Sequence, residues 1–335
     1  MVKQRVLLLG ATGETGGSIL NGLLEDTDSF DVEALVRPAS TGKPQVQELS
    51  KRGVKIRSFD IGGSVDDVAK SLTGVDVLIS AIDAMSQLAQ LNLVTAAKQA
   101  GVKRFVPCGF ITVVPPGGVM LLRDNKEEVY QLVRKLHLPY TIIDVGYWYQ
   151  ISFPGLPSGR VDYALVKPLD EIHAEGTAPN MLTDLRDVGR FVALIIKDPR
   201  SMNKYVACYG DVLSENEIFK IAEEMSGEVI SRKYVPASEI TATRDQYASA
   251  FKASPGDFMA QFMVTIQDYL YSKYVRGDNT PAYAAYLGYL DAKELYPDFR
   301  PRSFKDFMGD LLDGKAAKPY PHLGDWRDFA ASKAE

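Results

Sequence analysis

Three glycines near the start of the chain have the spacing of a turn that binds a dinucleotide. Gly10, Gly13 and Gly16 follow the apolar run at 6–9 and precede a helical pattern at 18–24. A short apolar run is typical of a strand buried on both faces of a parallel sheet. Glycine lets the backbone turn tightly and approach a pyrophosphate, which the first N–H groups of the following helix bind. The motif predicts a dinucleotide site; the alternative is a glycine-rich turn without a ligand.

The end of the second predicted strand favours NADP(H) over NAD(H). The apolar run at 32–36 is followed by Arg37, with Lys43 nearby, and no acidic residue stands between Glu33 and Gln45. An acidic residue here would accept hydrogen bonds from the ribose of NAD, whereas a 2′-phosphate requires a cation. Arginine matches phosphate oxygens with two parallel hydrogen bonds. The alternative is that Arg37 is a solvated loop charge.

The composition agrees with a soluble enzyme. Hydrophobic residues make up 46% and charged residues 24% of the chain, which is ordinary for this class. The net charge of −5 gives no electrostatic reason to bind nucleic acid or an anionic membrane. Two cysteines, Cys108 and Cys208, are too few for a disulfide framework, and no apolar run approaches the roughly 18 residues of a membrane span. We expect a cytoplasmic protein without a metal site, since the three histidines lack ligand spacing.

Apolar runs and helical patterns alternate through the first 145 residues. The expected strands are at 5–9, 32–36, 54–59, 76–82, 104–107 and 140–145, and the expected helices are near 15–25, 43–52, 64–72, 86–100 and 120–137. This alternation implies right-handed crossovers and a Rossmann-type α/β fold with a doubly wound parallel sheet. Ligands of such sheets lie outside the carboxyl ends of the strands, where Asp60 and Ala81 are expected. Asp60 is expected either to contact the adenine end of the cofactor or to close a turn at the end of the strand.

The predicted NADP-binding domain covers residues 1–150, and the chain is expected to return to it near 184–210. Residues 151–335 are assigned to a smaller substrate-binding part that is mainly helical after about 236. Within it, a helix is predicted over 184–197, and Ser214 to Glu217 fits a capping box. The segment from 239 to 313 is rich in aromatic residues, most of which are expected to fill the core of this part.

A series of short segments carries a family resemblance. These segments are the early glycine turn, Val36-Arg37-Pro38, Val102-Lys-Arg-Phe-Val-Pro107, Lys126 before Leu138-Pro-Tyr-Thr141, and the stretches 183–193 and 198–204. Their order and spacing over about residues 3 to 210 resemble NmrA-like, atypical short-chain dehydrogenase/reductases, most of all the isoflavone reductase branch. The tail after about 240 matches less specifically. The resemblance implies an NADP(H)-dependent oxidoreductase.

The resemblance also assigns a role to Lys126. In the isoflavone reductase branch, a lysine 14 residues before a Tyr-Thr pair serves as general acid or base, and Lys126 precedes Tyr140 by 14 residues. A lysine close to the rim of the sheet could reach a substrate, and desolvation beside a cation or a cofactor would lower its pKa toward proton transfer. The alternative is a solvated cation beside Glu127 and Glu128.

The substrate side depends on the segment 146–150. The family has a phenylalanine near the nicotinamide, and Trp148 occupies that place here. Relatives have Pro-Ser-Glu-Phe after the fifth strand where this chain has Pro107-Cys-Gly-Phe110, and Gly146 stands where a polar residue is usual. We therefore do not expect the substrates of the plant enzymes. The full set of residues expected at the cofactor is Gly10, Thr12, Gly13, Glu14, Thr15, Gly16, Arg37, Lys43, Asp60, Ala81 and Trp148.

Two functions are compatible with the sequence. The first is an NADPH-dependent reductase that delivers hydride to a conjugated C=C or C=O of an aromatic or polyketide-like metabolite, as in secondary metabolism, with Lys126 moving the proton. The second is an NmrA-like regulator that senses NADP(H) and acts through a protein partner. Later Tyr-x-x-x-Lys patterns at 269–273 and 289–293 are interpreted as chance. A homodimer is left open, because the aromatic helices would cover a pocket or a second subunit.

Overall fold

The chain divides into two compact units in the structure, a computed structural model that describes residues 3–166 and 170–321. The first unit comprises residues 1–144, 186–208 and 282–298, and the second comprises 145–185, 209–281 and 299–335. The sequence places the first boundary at residue 150 rather than 144, and it does not anticipate the return of 282–298 to the first unit. Residues 322–335 of the predicted substrate-binding part lie outside the described residues.

Strands and helices alternate up to residue 144 in the predicted order. They are β1 (Gln4–Leu9), α1 (Glu14–Leu24), β2 (Phe30–Val36), α2 (Pro44–Lys51), β3 (Lys55–Ser58), α3 (Val65–Ser71), β4 (Val77–Ser80), α4 (Gln90–Gln99), β5 (Arg104–Val106), α5 (Leu121–Lys135) and β6 (Thr141–Asp144). A 3-10 helix, Ala84–Ala89, precedes α4. The periodicity of the sequence is local in this region, which explains the agreement.

Short strands and longer helices make up the rest of the described chain. They are β7 (Tyr147–Trp148), β8 (Glu171–His173), β9 (Asn180–Thr183), α6 (Leu185–Lys197), β10 (Lys204–Ala207), β11 (Asp211–Leu213), α7 (Glu215–Ser226), β12 (Lys233–Val235), α8 (Ala237–Ala253), α9 (Phe258–Leu270), α10 (Pro281–Tyr286), β13 (Leu290–Asp291), α11 (Ala292–Leu295) and α12 (Phe304–Leu312). A π-helical segment, Tyr271–Arg276, continues α9. The predicted capping box of Ser214 and Glu217 is present at the start of α7.

The first unit is built on a parallel sheet, which confirms the predicted fold class. Its five strands lie in the order β3-β2-β1-β4-β5. The sixth strand, β6, meets β5 only through the bridge between Phe105 and Tyr140, and it pairs in parallel with β10, which pairs with β13. All these strands run the same way, so the residues that follow β1, β4, β5 and β6 lie along one edge.

Helices α1 and α6 of the first unit cross at a contact that only glycine permits. A Cβ atom on Gly189 would lie 1.8 Å from the carbonyl oxygen of Ser18, and one on Gly22 would lie 2.2 Å from the carbonyl carbon of Gly189. The Gly189 N–H also donates to Ser18 Oγ at 3.0 Å. This backbone approach fixes α1, the helix that begins at the glycine turn.

The second unit combines small sheets with helices. Strand β9 pairs with β7 in parallel and with β11 in antiparallel orientation, while β8 pairs with β12. Its hydrophobic core gathers buried side chains from the segment 149–165, α7 and α12. Tyr149, for example, contacts the rings of Phe304 and Phe307.

The expectation that most aromatic residues of 239–313 fill the core of the substrate-binding part is wrong. Ten rings carry this expectation: Tyr247, Phe251, Phe258, Phe262, Tyr269, Tyr271, Tyr274, Tyr283, Tyr286 and Tyr289. Of these ten only Tyr289 is buried, and it belongs to the first unit, whereas Phe304 and Phe307 further along the segment do lie in the core of the second unit. Phe258, Phe262 and Tyr286 are exposed, the last by 81%. The aromatic residues do not follow the buried stripe of each helix, which composition alone cannot show.

Candidate active site

The glycine turn has the conformation that the motif predicts. Gly10, directly after β1, has φ of +89°, in the left-handed region that favours glycine. The Gly13 N–H donates to the Gly10 oxygen at 3.0 Å, and the Gly17 N–H donates to the Gly13 oxygen at 2.7 Å. Helix α1 then begins at Glu14, and Thr15 lies in its first turn. The first N–H groups of a helix lack intrahelical partners and bind anions.

Two glycines of the turn cannot carry a side chain. A Cβ on Gly10 would lie 2.2 Å from the Ala81 oxygen, and one on Gly16 would lie 2.0 Å from the Gly10 oxygen. The Ala81 N–H donates to the Leu9 oxygen at 2.9 Å, so the segment after β4 lies against the turn. Thr12 and Gly13 are exposed. Six of the predicted cofactor residues therefore lie in this turn, and Ala81 lies against it. The six are Gly10, Thr12, Gly13, Glu14, Thr15 and Gly16.

The basic residues after β2 are accessible. Arg37 and Lys43 are exposed, and neither forms an ion pair with any residue of 3–166 or 170–321. Arg37 is followed by a 3-10 helix, Pro38–Ser40, and Lys43 is the N-cap of α2. Asp60 accepts a hydrogen bond from the Gly62 N–H at 2.9 Å, a contact that fits its alternative role of closing a turn.

Lys126 is buried rather than solvated beside its glutamate neighbours. Its side chain projects from α5 and is 2% exposed. Its Nζ donates to the Cys108 oxygen at 2.6 Å and to Gln87 Oε1 at 3.0 Å, and it lies 3.7 Å from Cys108 Sγ. Burial lowers the pKa of the Lys126 ammonium, against the opposing effects of Cys108 and Asp144. A buried amine with a lowered pKa releases its proton more readily than a solvated lysine, which suits proton transfer.

Two glutamines that the sequence analysis did not single out orient this lysine. Gln87 Nε2 donates to the Asp83 oxygen at 2.7 Å, which turns Gln87 Oε1 toward Lys126. Gln90 Nε2 donates to Gln87 Oε1 at 3.2 Å, and Gln90 Oε1 accepts from the Cys108 N–H at 2.9 Å. Both glutamines are buried. Gln87 lies in the 3-10 helix that precedes α4 and Gln90 begins α4, and no local pattern in the sequence marks either of them.

A second layer of polar groups lies near Lys126 in the first unit. The buried Asp144 ends β6, and its Oδ2 accepts a hydrogen bond from the Tyr289 hydroxyl at 2.6 Å. Arg123 of α5 lies with its guanidinium 5.1 Å from the ring centre of Tyr130 and donates to Glu127 at 2.6 Å. Tyr289 belongs to one of the Tyr-x-x-x-Lys patterns that the sequence analysis dismissed.

Trp148, the remaining predicted cofactor residue, lies in the second unit. Its ring stacks on that of Tyr320 with centres 6.0 Å apart. Gly146, just before it, has φ of +64°, and a Cβ there would lie 2.3 Å from the Met181 oxygen. The close approach and the positive φ together require a glycine at position 146.

The second unit contains a polar cluster that sequence reasoning missed. Lys273, in the π-helical segment, is 2% exposed and lies 3.4 Å from the ring centre of Tyr147. It also donates to the Tyr274 hydroxyl at 3.2 Å. His173 stacks on Tyr274 and shares a hydrogen bond of 2.8 Å between its Nδ1 and Glu215 Oε1. Burial and the charge of Glu215 raise the pKa of Tyr147 to about 12.

Neither a cluster of metal ligands nor a membrane-spanning helix occurs in the part of the chain that the structure describes. Within residues 3–166 and 170–321, no group of three or more histidine, cysteine, aspartate or glutamate side chains could hold a metal ion. No helix among these residues has the length and apolar character needed to cross a membrane. Neither of the two buried cysteines, Cys108 and Cys208, forms a disulfide.

The fold and the glycine turn define a nucleotide-binding protein of the Rossmann type. The model of the NmrA-like family matches residues 2–277, and the chain belongs to that family. Its place among the isoflavone reductase-like oxidoreductases, which the sequence resemblance implies, is confirmed.

Known relatives match almost the whole chain. Asnovolin J 5',6'-dehydrogenase nvfM of Aspergillus novofumigatus is 39% identical over 312 residues, which cover 92% of this chain and 95% of that protein. Probable pinoresinol-lariciresinol reductase 3 of Arabidopsis thaliana is 28% identical over 322 residues, 92% of this chain and 98% of the relative. The fold is similar to that of the leucoanthocyanidin reductase–NADPH complex from Vitis vinifera, with a TM-score of 0.76, 21% identity and coverage of 92% and 99% of the two chains.

Proposed function

We propose that this protein is an NADPH-dependent reductase of a conjugated C=C or C=O bond in a small aromatic or polyketide-like metabolite. The observation that carries the proposal is the buried ammonium of Lys126, whose pKa is lowered, in the same unit as the glycine turn. One relative is named for asnovolin J and another for pinoresinol and lariciresinol. These names support a substrate from secondary metabolism.

The residues of the turn fit the phosphates of NADP(H). Gly10 and Gly16 remove the side chains that would separate the backbone from a pyrophosphate, and α1 directs its first N–H groups outward. The exposed guanidinium of Arg37 can bind the 2′-phosphate with two hydrogen bonds. When bound, NADPH supplies the hydride that adds to the electrophilic carbon of the substrate.

Lys126 supplies the proton that completes the reduction. Its ammonium donates a proton to the carbon or oxygen that gains negative charge when the hydride adds, directly or through a water molecule. Gln87 and the Cys108 carbonyl hold the amine in place during the transfer. The lysine then takes up a proton from solvent, so each turnover consumes one NADPH and one proton.

A comparison of two lysine variants tests this function. Lys126→Met removes the amine and keeps most of the volume, and Lys135→Met removes an exposed amine from the same helix. NADPH consumption with a panel of enones and quinone-like aromatics should fall about 10²- to 10⁴-fold in Lys126→Met, with NADPH affinity unchanged. Lys135→Met should behave as wild type.

Two results would contradict the reductase. Full activity in Lys126→Met would remove the lysine from the reaction. Tight NADPH binding without turnover of any compound would instead favour the regulator that senses NADP(H), and a protein partner would then be sought.

A further inference from the structure

Asp144 is a buried carboxylate in the same unit as Lys126. It is 2% exposed at the end of β6, and its Oδ2 accepts the hydrogen bond from Tyr289. Its Oδ1 is buried and has no hydrogen bond of normal geometry to any residue in the described ranges, although the Ile111 N–H lies near enough to lower the pKa of the carboxyl group. A buried carboxylate oxygen that is not fully hydrogen-bonded is costly, because it loses its hydration without a complete replacement.

The hydrogen-bond partners of Lys126 leave its charge without a compensating anion in direct contact. The amine donates to an amide oxygen of Gln87 and to the backbone oxygen of Cys108, and both groups are neutral. The neighbouring carboxylate of Glu127 is engaged by Arg123 and by Arg134. A buried ammonium needs an anion nearby unless it loses its proton.

Asp144 and Lys126 approach the same peptide group from different elements. Lys126 binds the oxygen of Cys108, whose peptide leads into Gly109. A Cβ on Gly109 would lie 3.2 Å from Asp144 Oδ1 and 2.6 Å from the Ile143 oxygen. The turn is held further by the Phe110 N–H, which donates to the Ile143 oxygen at 2.6 Å, and Phe110 has φ of +56°.

This packing leaves no room for a side chain at position 109, because Asp144 and the backbone of β6 occupy the space. The carboxylate at this turn is that of Asp144, which ends β6.

We propose that Asp144 is a positioning residue that serves as the buried counter-charge of Lys126 and so keeps the amine protonated for transfer to the substrate. This inference rests on the proposed function, because it assigns Asp144 a role through Lys126. Tyr289 holds the carboxylate in place through Oδ2 and leaves Oδ1 toward the turn.

The charges around the pair agree with this assignment. Burial lowers the pKa of Lys126 and raises that of Asp144, and the charge of each residue opposes the shift of the other. Arg123 lowers the pKa of both groups, and the Cys108 thiol also faces the lysine. The remaining titratable and polar groups that face the pair are the hydroxyls of Tyr130 and Tyr289, the N–H of Ile111 and, next to Arg123, the carboxylate of Glu127.

The test is the pH dependence of turnover in Asp144→Asn, with Glu128→Gln as the matched control. Both changes replace a carboxylate with an amide, but Glu128 is exposed on α5. The rate with an enone or quinone accepted by the wild type falls as pH rises through the pKa of Lys126. In Asp144→Asn the midpoint of this fall should move down by about one pH unit. At pH values above the midpoint the variant should therefore be about tenfold slower than the wild type. An unmoved midpoint would overturn the inference, and the control should not shift.

A second measurement works without turnover and without a folded Asp144→Asn protein. In protein labelled with ¹³C at the aspartate carboxyl groups, one carboxyl should titrate above the usual range. That titration should move to higher pH in Lys126→Met, because the carboxylate loses a cation, whereas Lys135→Met should leave it unchanged. If no aspartate moves in Lys126→Met, the pair is not coupled. If Lys126→Met loses activity and no aspartate titration moves, the inference is rejected and the reductase is kept. If Lys126→Met keeps full activity and an aspartate titration moves, the reductase is rejected and the charge pair is kept.

Discussion

The amine of Lys126 lies 2.6 Å from the backbone oxygen of Cys108, so the segment after β5 and helix α5 are joined by a buried charged group. Such a contact serves two purposes. It orients an amine for proton transfer, and it replaces part of the hydration that the ammonium loses on burial. The contact also implies a measurable link between protonation and folding.

Stability should rise with pH through the titration of Lys126. The pKa of this lysine is lower in the folded protein than the ordinary value of a lysine, so the unfolded chain binds the proton more tightly. Between these two pKa values, loss of the proton stabilises the folded state. The free energy of unfolding in urea, measured from pH 7 to about 9.5, should therefore increase more in the wild type than in Lys126→Met. Lys135→Met should retain the wild-type slope, and equal slopes in all three proteins would contradict the lowered pKa.

The glycine turn predicts a sharp difference between two adjacent positions. In Gly16→Ala the new Cβ would lie 2.0 Å from the Gly10 oxygen, whereas in Gly17→Ala it would lie 3.8 Å from the Ala11 oxygen. Gly16→Ala must displace the backbone that is expected to bind the pyrophosphate, so NADPH affinity should fall at least about tenfold. Gly17→Ala should keep its affinity and gain about 0.5–1 kcal/mol in stability, because alanine favours the helix. Fluorescence titration with NADPH and urea unfolding measure both effects. Equal affinity in the two variants would exclude close approach of the cofactor to the turn.

Arg37 should favour the binding of NADPH over NADH, because only NADPH carries a 2′-phosphate. Loss of a charge-assisted hydrogen-bond pair costs about 1.5–3 kcal/mol, so NADPH should bind about 10- to 100-fold more weakly to Arg37→Ala. NADH, which lacks the 2′-phosphate, should bind equally to both proteins. Lys51→Ala removes an exposed charge from the end of α2 and serves as the control. If Arg37→Ala weakens the binding of NADH and NADPH to the same degree, the arginine does not bind the 2′-phosphate.

The sequence predicts the architecture of the first unit up to residue 144 because that information is local. Each strand is a short apolar run, each helix has its own periodicity, and the turn motif falls between two of them. The family resemblance then identifies Lys126 as the residue to examine. Its burial is not visible in the sequence, since Glu127 and Glu128 beside it suggest a solvated helix face.

The features that the sequence does not predict depend on contacts between distant segments. Tyr289 reaches Asp144 across 145 positions, and the segment 282–298 rejoins the first unit without any local signal. The burial of Lys273 depends on its aromatic neighbours, including Tyr147, more than 120 residues earlier in the chain. Polar residues of this kind look like surface positions until the fold is known.

The polar cluster of the second unit should depend on Glu215 for its stability. Glu215 accepts hydrogen bonds from His173 twice, through the ring Nδ1 at 2.8 Å and through the backbone N–H at 2.7 Å. In Glu215→Gln the amide oxygen can still accept from the backbone N–H of His173, but the amide nitrogen can meet Nδ1 only if the ring proton moves to Nε2. The charge of the acceptor is lost and the ring must change tautomer, so the free energy of unfolding should fall by about 1–2 kcal/mol. Glu224→Gln, at an exposed position of α7 paired with Lys220, should change stability by less than about 0.5 kcal/mol. Urea unfolding at pH 7 measures both variants, and a Glu215→Gln protein as stable as the wild type would show that the His173 contact adds no net stability.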